Sequence, residues 1–205
     1  DHRNRVMYGG FGTGEISIQD LREANHQAKF KTIHDKTVRC IDLSPVDTNV
    51  MITGSIDRTV KLWDIRKLTG KSSCLSSFSH GQGVTFTQIS PITGAIAVST
   101  SYDDTLKIID MKSRTEVTSI GHDNQTGRWL HPFQAIFSPL DEEHLVVGSM
   151  DRERHIDLIN VKSGKKDKLK SELYAHITSI NCWHPKHLML AGGNSSGKVY
   201  LWRKH

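Results

Sequence analysis

Cysteine is scarce in this chain: three residues in 205, Cys40, Cys74 and Cys182, far apart and with no Cys-x-x-Cys pair. That argues against a disulfide framework or a thiolate zinc site, and a reducing compartment is the default. No apolar run approaches the ~20 residues of a membrane span, and the first residues show no secretory signal. Long amphipathic helical periodicity is missing as well. The twelve histidines show no ligand spacing, so no metal and no cofactor is expected.

What is present is turn chemistry between short apolar stretches. Sixteen glycines and scattered Asp, Asn and Ser punctuate a chain that is 36% hydrophobic and 24% charged, a soluble globular balance. The net charge of +5 permits an acidic partner such as nucleic acid without requiring one.

The chain repeats itself. MITGSIDRTVKLWD (51–64) aligns with AVSTSYDDTLKIID (97–110), so that Asp57, Thr59, Lys61 and Asp64 recur as Asp103, Thr105, Lys107 and Asp110. Further copies are VVGSMDRERHIDLIN (146–160), two residues longer after Asp151, and LAGGNSSGKVYLWR (190–203). A partial copy, VMYGGFGTGEISIQD (6–20), opens the chain. Repeat ends fall near 20, 64, 110, 160 and 203. Each copy reads as short strands separated by turns. A period of 40–45 residues with four strands per unit resembles the WD-repeat signature, carried here by His34, Gly54, Ser55, Asp57, Trp63 and Asp64. The expected fold is all-β: residues 1–205 as one partial WD-repeat β-propeller, about four and a half C-terminal blades of a ring that has seven when complete.

Three motifs are decoys. His34, Ser55 and Asp57 resemble a catalytic triad, but His80/Ser101/Asp103 and His122/Ser149/Asp151 repeat the set, and a triad needs one assembled site. In WD repeats the His, Ser, Asp and Trp form a hydrogen-bonded chain that locks each blade, and His34, His80, His122 and His176 hold that position. No enzyme and no small-molecule substrate is expected. GGNSSGKV (192–199) nearly spells a phosphate loop, but Val199 stands where Ser or Thr would hold magnesium, and a strand follows instead of a helix. KSGKKDKLK (162–170) reads as a solvated loop, with a nonspecific phosphate contact as its alternative.

One copy is longer at its start. HDKTVRCIDLSP (34–45) and HGQGVTFTQISP (80–91) run ten residues from His to the last Ser, whereas from His122 to Ser138 is sixteen. The added stretch brings Arg128 and Trp129 behind Gly127, and Pro132 closes it before the strand FQAIFS. In a propeller, the connection into the first strand and the turn between the second and third strands share one face. That face would gather Lys36, Arg58, Arg128, Trp129, His131, Arg152, Arg154 and Lys198, with Asp103, Asp104 and Glu153 among them. The insert is expected to form a small projecting hairpin, Asp123 to Thr126 supplying no core. An exposed aromatic beside arginine suits nucleic acid, since arginine neutralises phosphate and the ring stacks on or wedges between bases. The alternative is that Trp129 folds back onto the blade and fills space.

GRWLHPFQAIFSP, VVGSM and SINCWHPKHLMLAGGNSSGK resemble the family of WD repeat-containing protein 76 and its fungal DNA-damage-binding counterparts. A wider relative is the small subunit of the UV-damaged-DNA-binding complex. There, a hairpin at the corresponding place inserts side chains at the lesion, which lands here on Gly127, Arg128 and Trp129. The side chains differ from that relative's. The resemblance implies a nuclear, non-enzymatic DNA-binding protein that prefers damaged or distorted duplex. Separately, WDIR (63–66) resembles the docking box of substrate receptors for cullin-4 ubiquitin ligases, carried by Trp63, Asp64 and Arg66, and QDLR (19–22) keeps Asp20 and Arg22. A ligase adaptor and chromatin are therefore the implied protein partners. The rival reading is an interaction scaffold that binds a peptide such as a histone tail.

Overall fold

The short apolar stretches become strands, and each repeat becomes one antiparallel meander. A computed structural model describes residues 5–23, 27–194 and 196–203, so the two ends of the expected 1–205 span lie outside it. β1 (Val6–Gly10), β2 (Glu15–Asp20) and β3 (Lys29–Thr32) form the first sheet. β4 (Val38–Leu43), β5 (Val50–Ser55), β6 (Thr59–Asp64) and β7 (Cys74–Ser79) form the second. β8 (Val84–Ile89), β9 (Ile96–Ser101), β10 (Thr105–Asp110) and β11 (Thr115–Gly121) form the third. The fourth is β12 (Ile136–Phe137), β13 (His144–Gly148), β14 (Ile156–Asn160) and β15 (Lys166–Leu169). β16 (Thr178–Trp183), β17 (Met189–Asn194) and β18 (Val199–Arg203) complete the fifth. Among the described residues, no helix is long and apolar enough to cross a membrane.

Successive sheets stack face to face, with a core layer at each junction. Trp63 packs with Ile16, Ile33 and Met51 between the first and second sheets. Ile52, Leu62, Val84 and Ile109 fill the next junction, and Leu106, Phe133, Phe137 and Leu145 the one after. Close approach explains a recurring glycine. A Cβ on Gly54 would lie 2.7 Å from both Cys40 Sγ and Val84 Cγ1, and one on Gly148 would lie 2.2 Å from the Thr178 carbonyl oxygen.

Inner strands also bond from sheet to sheet. Asp42 on β4 accepts from the Ile89 N–H at 2.7 Å, and Gln88 on β8 accepts from the Phe137 N–H at 2.8 Å. Burial pushes the Asp42 carboxyl up to about 6, more than its backbone donors can offset. A raised carboxyl makes the folded state bind more protons than the unfolded chain between about pH 4 and pH 6, so stability falls as pH rises through that window. Asp42→Asn is expected to gain about 2 kcal/mol on wild type between pH 4 and pH 7 in urea unfolding. A pH-independent difference would refute this assignment.

Two local expectations change. FQAIFS does not form a six-residue strand: β12 keeps only Ile136–Phe137, the two residues that pair with β13, although Phe133 and Ala135 are still buried. KSGKKDKLK is not a loop throughout, since its second half is β15. Its lysines are largely occupied: Lys162 pairs with Glu143, Lys168 with Asp151, Lys170 with Glu153, and Lys166 donates to the Gly121 carbonyl.

Candidate nucleic-acid interface

Polar relays buried at the sheet junctions define which loops share a face. Trp63 Nε1 donates to Thr53 Oγ1 at 2.8 Å, and Thr53 meets His34 Nε2 at 2.8 Å. His34 Nδ1 reaches Asp57 Oδ2 at 2.8 Å. One tautomer satisfies every member, with Nε2 accepting and Nδ1–H donating. Burial lowers the His34 pKa below the ordinary histidine range, outweighing Asp57. Burial alone would raise Asp57, but the Thr59 hydroxyl, the Asp35 N–H and His34 together hold it at about 2. His80, Ser99 and Asp103 repeat the relay in the third sheet. The hydroxyl in the chain is thus Thr53 or Ser99, not Ser55 or Ser101. Ser55 instead donates to the Lys36 carbonyl and caps its own turn. These bonds join each entering connection to the turn between the second and third strands, on one face.

The fourth sheet breaks the pattern, and it is the one that carries the insert. His122 Nε2 meets Asp157 Oδ2 at 3.2 Å instead of Asp151, which pairs with Lys168. Asp157 also meets His155 Nε2 at 3.1 Å, so one buried carboxylate serves two buried rings. In the two preceding copies these positions are Thr59 and Lys61, then Thr105 and Lys107. The exchange to His155 and Asp157 was visible in the alignment, but only the structure gives it a meaning. In the fifth sheet His176 is exposed and Tyr174 is buried in its place, 2.5 Å from Thr178 Oγ1.

The insert is rooted, and it is not a hairpin: residues 122–135 pair with no strand. Asn124 is buried and accepts from His122 Nδ1 at 2.8 Å, while its amide donates to the Ser101 carbonyl at 2.8 Å. Asp104 accepts from the Asn124 N–H at 2.9 Å, and Gln125 donates to the Tyr102 carbonyl at 2.6 Å. Asn124 and Thr126 are therefore core, contrary to expectation. The root grips the third sheet's turn and, through His122, the fourth sheet's β14.

Beyond the root the chain turns at Gly127, whose φ of +67° is left-handed and suits glycine. Trp129 does not fold back: it is 90% exposed, with exposed Arg128 before it and exposed His131 after it. Beneath lies a polar groove of about 490 Å³ lined by Arg39, Thr85, Gln88, His131 and Gln134. The surrounding charges are sorted. Asp103 is spent on His80, Asp104 on the insert root and Glu153 on Lys170. Arg154 turns inward, its Nη1 donating to the Asp151 carbonyl at 2.8 Å. Lys36, Arg58, Arg128, Arg152 and Lys198 are exposed, and among the described residues none of them makes an ion pair. The face is mixed in composition but basic in what it offers.

On the opposite face, Arg66 forks onto Asp64, Nε to Oδ1 at 3.0 Å and Nη2 to Oδ2 at 2.9 Å. Arg22 forks onto Asp20 in the same way, at 2.9 and 2.5 Å. Both guanidinium groups are exposed. Trp63 is buried and touches no outside partner; it anchors the strand from which Asp64 and Arg66 project. Among the described residues, no cluster of three metal-ligating side chains occurs.

Residues 27–64 and 167–203 match the family model described as WD domain, G-beta repeat. This is a WD-repeat β-propeller fold. A chain of a structure titled Crystal Structure of Mitotic Checkpoint Complex superposes on this WD-repeat chain with a TM-score of 0.80 at 16% identity, covering all of this chain and 59% of that one. That likeness concerns fold alone. In sequence, WD repeat-containing protein 76 of Xenopus laevis is 33% identical over 203 residues, which is 97% of this chain and 28% of that protein. The Mus musculus protein of the same name is 30% identical over 94% of this chain and 32% of its own length. DNA damage-binding protein CMR1 of Phaeosphaeria nodorum is 27% identical over 96% of this chain and 41% of that protein. The WD-repeat chain thus spans between about a quarter and two fifths of the curated relatives it matches.

Proposed function

We propose that this chain carries the DNA-contacting face of a nuclear, non-enzymatic WD-repeat protein that prefers damaged or distorted duplex. One observation carries the reading: Trp129 stands in solvent beside Arg128 on a rooted insert, among exposed cations without ion-pair partners. The names of the fungal relatives, DNA damage-binding proteins, point the same way. In this mechanism Lys36, Arg58, Arg152 and Lys198 neutralise phosphates and set the register, with Arg154 shaping the turn. Arg128 meets the backbone nearest the tip. Trp129 enters where stacking is already weakened, so preference arises from the lower cost of opening a damaged step, not from reading bases. The exposed forks at Arg22 and Arg66 support a second, protein-facing role as a docking box for a cullin-4 ligase adaptor. A basic histone tail would meet the same unpaired cations with the wrong sign of charge, which ranks the peptide-scaffold reading behind DNA.

The test is binding of the full-length protein to matched intact and UV-irradiated duplexes at two salt concentrations. Five phosphate contacts, Arg128 included, predict about a 500-fold loss of affinity between about 50 and 200 mM salt. Tighter binding to the irradiated duplex should persist at both. Salt-insensitive binding, or no preference, would sink the proposal.

A further inference from the structure

The face opposite the insert has a periodic feature of its own. In three successive copies the connection between the two inner strands reads Ser-Pro-apolar: Ser44-Pro45-Val46, Ser90-Pro91-Ile92 and Ser138-Pro139-Leu140. The apolar residue is not in the core. Val46 is 59% exposed, Ile92 44% and Leu140 46%; Leu188, in the same connection of the fifth sheet, is 43% exposed. Single exposed apolar residues need no explanation, but the same position exposed in three consecutive copies makes a surface.

The loops that carry these residues are held rigidly and joined to one another. Ser44 Oγ accepts from the Val46 and Asp47 N–H groups at 3.4 and 3.2 Å. Ser138 Oγ accepts from Leu140 and Asp141 at 3.2 and 3.4 Å. Glu142 reaches back to the preceding loop, accepting from the Ser90 hydroxyl and, at 2.6 Å, from the Thr93 hydroxyl. Gly94 lies against Val46, where a Cβ would come within 2.9 Å of Val46 Cγ2. The result is a continuous arc.

Outside the arc run the connections between the two outer strands. Each bonds to the inner loop of its own sheet: Ile65 N–H to Asn49 O at 2.8 Å, Met111 to Ala95 at 2.9 Å, Val161 to Glu143 at 2.8 Å. They carry Lys67, Lys112 and Arg114, all exposed, and among the described residues none makes an ion pair. Of the nearby acids, Asp64 is paired with Arg66, Glu143 with Lys162 and Asp141 with His144, while Asp47, Asp110 and Glu142 accept from the uncharged Asn49, Ser113 and Thr93. A cleft of about 240 Å³ joins the two tiers, with Val46, Leu62, Leu75 and Met111 in its walls and Lys112 and Arg114 at its rim.

We propose that this arc docks an acidic, amphipathic segment of a partner protein. Its apolar side chains would rest on Val46, Ile92 and Leu140 and enter the cleft, and its carboxylates would face Lys67, Lys112 and Arg114. The cations of the outer tier, Lys67, Lys112 and Arg114, favour carboxylates on that side of the occupant, and the raised apolar positions select a protein over a polyanion without apolar groups. The arc goes beyond the Arg22 and Arg66 forks, whose guanidinium groups are already engaged by their own aspartates. It also lies on the face away from Trp129, so DNA and this partner can be held together.

The experiment places a photo-crosslinking amino acid at Val46 or Ile92 of the full-length protein in its own cells and identifies the captured peptides by mass spectrometry. The expected result is one segment of another protein captured from both positions, with Asp or Glu flanking apolar residues. Lys112→Glu with Arg114→Glu should cut its yield about tenfold, as expected where charge steers association. An unchanged melting temperature of that variant checks that it folds, and its duplex binding reads the opposite face separately. Capture of a segment of the same chain, capture of a basic segment, no capture, or capture indifferent to charge reversal would each overturn the proposal.

Discussion

Replacing Arg128 and Trp129 together with alanine is expected to abolish discrimination between irradiated and intact duplex while leaving the fold unchanged. Stability is spared because Trp129 is 90% exposed and nothing lies near the Gly127 turn; surface changes of this kind stay within about 0.5 kcal/mol. The binding loss is larger. A stacked base contributes about 1–3 kcal/mol, so losing the ring should weaken binding to damaged duplex by roughly ten- to a hundredfold. Intact duplex, whose steps the ring does not open, should weaken much less. The single variants divide the effect. Arg128→Ala should weaken both duplexes similarly and flatten the salt dependence by about one phosphate. Trp129→Ala should leave the salt slope alone and remove the preference. A double variant that still prefers irradiated DNA would show that the insert is not the wedge.

The second large effect lies beneath the tip. Asp157→Ala removes the one carboxylate shared by His122 and His155, both buried, and leaves His122 Nε2 without its partner and His155 Nε2 with only Asp151, at 3.5 Å. Breaking a buried pair on one side costs about 3 kcal/mol or more. The loss should appear in denaturant unfolding, and hydrogen exchange should quicken over residues 122–126, because His122 anchors Asn124. Damage preference should fall although Trp129 itself is intact. If stability and exchange both match wild type, the double-histidine arrangement is not what holds the root.

Periodicity made the fold legible. Copies offset by about 46 residues place their turns in register, and the five meanders follow that alignment strand by strand. The face shared by Arg58, Arg128, Arg152 and Lys198 was legible too, because alternating up-and-down strands fix which connections meet. Three features were not. Which hydroxyl joins the relay depends on the level along β5 and β9 at which the histidine sits: Thr53 and Ser55, like Ser99 and Ser101, share one side of their strand, and the ring bonds the earlier of each pair. The burial of Asn124 was hidden because a polar stretch reads as solvent-facing until the Ser101 carbonyl and Asp104 are seen waiting for it. The inward turn of Arg154 follows from the two residues added after Asp151, which let the chain fold back on its own carbonyl.

The insert divides cleanly into residues that hold and residues that reach. Asn124 and Gln125 grip the neighbouring turn, whereas 127 to 131 make no contact on which the sheets depend. Selection can therefore rewrite the reaching residues without disturbing the holding ones. On the proposed DNA-contacting role, a lineage meeting a different lesion would need to change only a handful of side chains, and one propeller could supply many kinds of reader by exchanging its tip.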